Sequence, residues 1–226
     1  MLTAIKSKSF ERLFAIYNRN LFKRRFHSLR VGGFGELRKL TTLAPLVIFA
    51  NHSAWWDGLV AFEISRRVQS DSFIMMEERH LKKLFLFRGL GAFSVVREKP
   101  REAIKSIDYA AELLRGSSNR TVWIFPQGEI LPNERRPLRF YNGLAKLVEK
   151  VGAVRVLPVA MRYEFLDNFK PEIFVKIGKT EEFVEADKNF NSKKLTARFT
   201  DNLTVLLNDL KSEIASGNLE NYERVI

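Results

Sequence analysis

Short apolar runs alternate with helix-period stripes along most of this chain, and that alternation limits its fold more than any other feature. Pro45–Ala50 (PLVIFA) is an unbroken apolar run ending in polar residues, which predicts a strand buried on both faces. Phe73–Met76, Phe93–Val96, Thr121–Phe125, Val156–Tyr163 and Ile173–Ile177 read as further short strands. Between them, Trp55–Val68, His80–Phe87 and Tyr141–Val151 read as helices. Pro100 suits the first turn of another, with Ile104, Ile107, Ala111 and Leu114 on one face and Gly116 as its stop. Leu195, Phe199, Leu203, Leu206, Leu210 and Ile214 form the stripe of a long final helix. Strands alternating with helices predict a single layered α/β domain with a mostly parallel sheet flanked by helices. In such sheets the loops after the strands carry the site, and His52 and Gln127 each follow a predicted strand.

An amphipathic helical segment is expected before this domain, over Ser7–Phe26. Phe10, Phe14, Tyr17, Leu21 and Phe22 recur near the helical period, with Arg12, Arg19, Lys23, Arg24 and Arg25 between them. The chain holds 38 Lys and Arg against 26 Asp and Glu, a net +12; residues 1–40 hold ten against two, so +8 of the excess lies there. We divide the chain into a basic helical region, residues 1–40, and a domain, residues 41–226. The helix fits an anionic membrane interface, or it packs on the domain with a solvated basic face. A basic chain also suits nucleic acid. However, no helix-turn-helix, zinc-finger or aromatic RNA-binding pattern is visible, and phenylalanines at helical spacing suit lipid better, so no nucleic-acid partner is expected.

The longest uncharged run, Leu40–Trp56, is broken by Pro45, Asn51 and His52, whereas a membrane-spanning helix needs about 20 apolar residues. Lys6, Lys8, Glu11 and Arg12 punctuate the N-terminus, unlike a signal peptide. A cytoplasmic protein held peripherally at a membrane is the expectation. With no cysteine, thiolate metal sites and a cysteine nucleophile are excluded, and no metal site is expected.

Of the three histidines, His27 and His80 lie in basic surroundings and read as surface residues. His52 instead sits between a buried strand and a helix, in FANHSAWWDG, with Asp57 about one turn further on. The carboxylate can hold one imidazole nitrogen and leave the other free as a base. A histidine satisfied for structural reasons fits the same spacing. Ser53 adjoins His52, but neighbours at such a turn rarely face each other, and no G-x-S-x-G elbow occurs. Activation of a substrate hydroxyl is therefore the better reading.

NHSAWWDG contains H-x-x-x-x-D, and in that motif the chain resembles the PlsC-like acyltransferases of the glycerophospholipid acyltransferase superfamily. GAFSVVREKPREA (91–103) resembles the family's second block, where an arginine after a short strand helps bind the acceptor's phosphate; Arg97 matches it. VWIFPQGEI (122–130) resembles the third block, usually F-P-E-G-T-R, and VLPVAMRY (156–163) the fourth, with Pro158 the matching proline. The resemblance spans about residues 45–165. It implies transfer of a fatty acyl group from acyl-CoA or acyl carrier protein, as co-substrate, to a lipid hydroxyl, by default that of lysophosphatidic acid. His52 would take the hydroxyl proton and Asp57 would orient His52, with no bound cofactor. Backbone groups near Gly128 are candidates for donating to the oxyanion.

The third block departs from the pattern. Phe125, Pro126 and Gly128 match, but Gln127 replaces the family's glutamate, Glu129 its Thr or Ser, and Ile130 its arginine. Arg97 and Lys99 can carry an anion alone, or Arg135 and Arg136 can replace the missing arginine, unless they form a solvated loop. A non-phosphorylated acceptor, such as a glycolipid or glycosyl carotenoid, is the rival reading, and a non-catalytic lipid-binding relative is a third. Asn51, Ser53, Trp55 and Trp56 frame the His–Asp pair, the tryptophans lining an acyl entrance or packing as core. Phe85 and Phe87 read as core or as interfacial residues.

Overall fold

The computed structural model describes residues 1–41, 45–184 and 191–226. In chain order it contains α1 (Lys8–Arg25), β1 (Ser28–Gly32), α2 (Phe34–Leu40), β2 (Leu46–Ala50), α3 (Asp57–Arg67), β3 (Asp71–Glu77) and α4 (Glu78–Lys83). A 3-10 turn (Phe85–Leu90), β4 (Ala92–Val95), α5 (Pro100–Arg115), β5 (Arg120–Ile124), α6 (Gly143–Val151) and β6 (Val154–Glu164) follow. The chain ends with β7 (Glu172–Ile177), β8 (Glu181–Phe183), α7 (Ser192–Ser216) and β9 (Tyr222–Arg224).

The described strands form one sheet in the order β4-β3-β5-β2-β6-β7-β1-β9, with β8 beside β6. From β4 to β6 the strands are parallel; β7 is antiparallel to β6, and β1 is parallel to β7. This is the mostly parallel α/β sheet that the alternation predicts. β2 is central and buried along its whole length, which is why it reads as an unbroken apolar run. Val47 and Phe49 face a core shared with α5, α6 and α7, whereas Leu46 and Ile48 face one shared with α1, α2 and α3. Proline costs a central strand a ladder donor. Pro158 avoids that conflict, because β6 changes partners there, from β8 at 154–156 to β7 at 159–164.

Several boundaries differ from the sequence expectation. Ser28–Gly32 lies in the region expected to be helical but forms β1, because β7 and β9 supply ladders on its two sides. The helix expected from Trp55 begins at Asp57, since residues 51–56 are used in the turn that Asp57 closes. The helix expected over 80–87 splits: Leu84 leaves helical geometry (φ −112, ψ 45), and the 3-10 turn carries Phe87 against Phe14. β8 and β9 have three residues each, too few to show a period.

α1 is capped by Ser7, whose hydroxyl accepts from Phe10 N at 3.3 Å. The phenylalanines of its stripe face the domain, whereas Tyr17 turns outward. Phe14 packs edge-on against Phe62 and Phe87, and Phe22 is buried against Phe26 and Trp56. The outer face instead exposes Leu13, Ile16 and Tyr17 among Arg12, Arg19, Lys23 and Arg24. His80 is exposed as expected, but His27 is half-buried, its N–H bonded to Pro171 O at 2.9 Å. Among the described residues no helix is long and apolar enough to cross a membrane.

Candidate active site

At the end of β2, Asn51 is buried and extends the sheet with its side chain. Its amide donates to Met161 O at 2.9 Å and accepts from Met161 N at 2.8 Å, and it also donates to Asn133 at 3.0 Å. The next residue, His52, is thereby placed at the carboxyl edge of the parallel strands. Its own N–H donates to Gln127 Oε1 at 2.7 Å, and its carbonyl accepts from Leu131 N at 2.8 Å. Gln127 is buried, so this bond fastens the first block to the third. A neutral amide oxygen can accept this bond, as a carboxylate oxygen would.

His52 Nδ1 and Asp57 Oδ2 lie 2.8 Å apart. The same oxygen accepts from Ser53 N at 2.7 Å and Ala54 N at 2.9 Å, and Asp57 is fully buried at the start of α3. Phe125 stacks on the imidazole at 4.6 Å and 22°. Ring and carboxylate therefore fix the imidazole from two directions, and the His52 side chain faces a cavity of about 770 Å³. The cavity walls are mostly apolar, from α3, β3, the 3-10 turn and α5, with Phe62, Met76 and Phe87 among them. Trp55 stands half-exposed at its rim, whereas Trp56 packs edge-on against Phe26 at 4.9 Å and serves the core. Of the other two interfacial candidates, Phe87 lines the cavity and Phe85 is exposed.

Arg97 reaches the cavity from the loop after β4. Its guanidinium bonds Glu77 at 3.2 Å and lies over the Tyr141 ring at 5.4 Å, and its Nε is buried without a partner among the described residues. Gly128, at φ +73, lets the third block pass directly over it: a Cβ there would come within 2.6 Å of Arg97 Nη1. The Gly128 N–H is itself taken by Phe125 O at 3.0 Å. Pro126 is buried, and Glu129 and Ile130 are exposed at the cavity's edge. Ser53 Oγ is buried without a partner among the described residues and points to no nucleophile–base pair.

The remaining expected cations stand elsewhere. Lys99 is exposed ahead of α5, and Arg135 is exposed on the loop beyond the third block. Arg136 bonds Asn133 O at 2.7 Å and Asn208 Oδ1 at 3.0 Å, tying that loop to α7. None of the three lines the cavity. Two neighbours escaped the sequence reading. One is Glu77, the partner of Arg97. The other is Tyr163, whose hydroxyl donates to Asp57 Oδ1 at 2.6 Å. Burial, then the Asp57 charge, then this hydrogen bond push the Tyr163 phenol well above its usual range, so it stays a donor. A tyrosine two residues beyond Met161 on one strand face was the available signal, but its partner lies 106 residues away.

A comparison with curated proteins finds no match to this chain. The sequence model of the acyltransferase family matches residues 34–162, more than half of the chain, and that span holds the His–Asp pair, Arg97, the first three blocks and the fourth as far as Arg162. The chain therefore belongs to the PlsC-like acyltransferase family, and its chemistry is acyl transfer.

Proposed function

We propose that this acyltransferase moves a fatty acyl group from an acyl thioester, on coenzyme A or acyl carrier protein, to the free hydroxyl of a lysophosphatidic-acid-type acceptor. The observation that carries this reading is the His52–Asp57 contact at 2.8 Å, with the imidazole facing the apolar cavity. His52 takes the hydroxyl proton as the oxygen attacks the thioester carbonyl, and Asp57 stabilises the imidazolium. The tetrahedral adduct collapses, the C–S bond breaks, and the departing thiolate takes from His52 the proton that came from the acceptor hydroxyl. A cavity of about 770 Å³ is of ordinary ligand size and suits an acyl chain. Arg97, which lines the cavity, supplies the cation for the acceptor's phosphate. A neutral glycolipid acceptor is the second reading. It is favoured by the pairing of Arg97 with Glu77 and by Ile130 standing where the family has an arginine.

The enzyme acts at an anionic membrane surface, on the cytoplasmic side. Leu13, Ile16 and Tyr17 on α1 and Phe165, Leu166 and Phe169 on the loop between β6 and β7 are exposed, with Lys23, Arg24 and Lys170 among them. Lys170 Nζ bonds Lys23 O at 2.8 Å, which holds the two patches together. Ring burial plus cation attraction, about 1 kcal/mol per Lys or Arg, suits such a surface. Sedimentation with anionic vesicles should fall for Ile16→Ser/Phe169→Ser; unchanged sedimentation would remove the membrane reading. The chemistry is tested by acyl transfer from labelled acyl-CoA and acyl carrier protein to lysophosphatidic acid, other lysophospholipids and neutral glycolipids. His52→Ala should lose activity by about 10²–10⁴-fold. Product only on neutral acceptors would select the second reading, and no product on any acceptor would favour lipid binding without catalysis.

A further inference from the structure

We propose that Tyr163 is a positioning residue of the His52–Asp57 pair, setting how the carboxylate meets the imidazole. The inference rests on the general-base reading of His52. Asp57 accepts four hydrogen bonds: His52 Nδ1, Ser53 N and Ala54 N on Oδ2, and the Tyr163 hydroxyl on Oδ1 at 2.6 Å. Three donors crowd one oxygen, and among the described residues the phenol alone serves the other. Without it, Oδ1 of a fully buried carboxylate has no partner among the described residues. The carboxylate is then held through Oδ2 alone, and the angle at which it meets the imidazole is less firmly set.

The phenol also moderates charge. Each donor on Asp57 draws electron density from the carboxylate, so Tyr163 weakens the pull of Asp57 on the imidazole proton. Its hydroxyl stays protonated because burial and the facing carboxylate disfavour phenolate. The ring is seated by Phe26, at a centroid distance of 6.0 Å, and Ile173 stands opposite Tyr163 on β7. Glu77, Arg79, His80, Lys83, Arg97, Glu129 and Lys146 line the cavity that His52 faces, and none bonds Tyr163 or Asp57. Glu63, further along α3, is held by Arg66 and Arg67, and Arg162 is held by Glu134 and Glu164.

Tyr163→Phe removes only the hydroxyl. Loss of this donor should lower kcat/KM by about tenfold or more. It should also move the acid limb of the pH–rate profile to higher pH, since a less satisfied carboxylate holds the imidazole proton more tightly. Incorporating 3-fluorotyrosine makes the phenol a stronger donor and should move that limb the other way, which keeps the test open if Tyr163→Phe folds poorly. An unchanged limb in both Tyr163→Phe and the fluorinated protein would overturn the inference, whatever happens to stability. His52→Ala is measured in parallel. If it remains active, the general-base reading fails, and this inference with it; if it is inactive while Tyr163→Phe matches wild type, only the role of Tyr163 falls.

Discussion

Replacing Gly128 with alanine separates the two things this glycine does. Its φ of +73 lies in the left-handed region, where an L side chain costs about 1–2 kcal/mol. At this chain length a kcal/mol corresponds to about 2–4 °C in melting temperature, so the backbone effect alone is a fall of about 2–8 °C. The second effect is local. The new Cβ would stand 2.6 Å from Arg97 Nη1, 3.0 Å from Tyr141 Cε2 and 3.1 Å from Arg97 Cδ. A guanidinium is the free end of a long side chain, so Arg97 moves rather than the backbone. Moving it weakens the 3.2 Å bond to Glu77 and the stacking on Tyr141. If Arg97 binds the acceptor's phosphate, a charge-assisted bond worth about 1.5–3 kcal/mol is lost, and the acceptor KM rises about ten- to hundredfold. The Michaelis constant for the acyl donor and the His52-dependent step should change far less. Thermal melting and steady-state kinetics with a phosphorylated acceptor measure both effects. A lower melting temperature with an unchanged acceptor KM would refute the role given to Arg97. An unchanged melting temperature would refute the strain argument itself.

Ser65→Ala leaves the indole N–H of Trp123, bonded to Ser65 Oγ at 2.8 Å in the core, without a partner. A loss of about 1–3 kcal/mol in chemical denaturation is expected, with activity retained by the folded fraction. Glu134 is held by Lys211 and then Arg162, which lower its carboxyl from the ordinary 4.5 to about 2. A depressed acid stabilises the fold above its unfolded value and loses that contribution as pH falls through its folded value. Glu134→Gln should therefore melt slightly lower at pH 7. Because Glu134 is more than half exposed, the deficit is at most about 1 kcal/mol, and the two proteins should converge as pH drops from 4.5 towards 2. A deficit that persists at pH 2 would show that the ion pairs are not its source.

The alternating pattern was enough for the architecture, because β2, β5 and β6 are long enough and buried enough to declare themselves. The three-residue β8 and β9 were too short to declare themselves, and β1 (SLRVG), as long as β2 but with Arg30 at its centre, exists as a strand through its ladder partners β7 and β9. The phenylalanines of α1 were visible at helical spacing, but not which way they faced. Packing turned Phe14 and Phe22 inward and left Leu13, Ile16 and Tyr17 outside.

The same division runs through the site. The spacing of His52 and Asp57 is local, five residues on one strand–helix turn, so the sequence alone could place the pair within reach. Arg97 and the third block were legible through their order along the chain. The partners that set how these groups behave come from far away: Gln127 on the His52 N–H, Phe125 on its ring, Tyr163 on Asp57, and Glu77 on Arg97. Their separations, from 20 to 106 residues, carry no period that a local pattern can record. What the sequence determined by itself was the sheet, the helices around it and the chemical pair on one turn. The sheet order decided the rest, because β5 and β6 flank β2 and bring their carboxyl ends around His52.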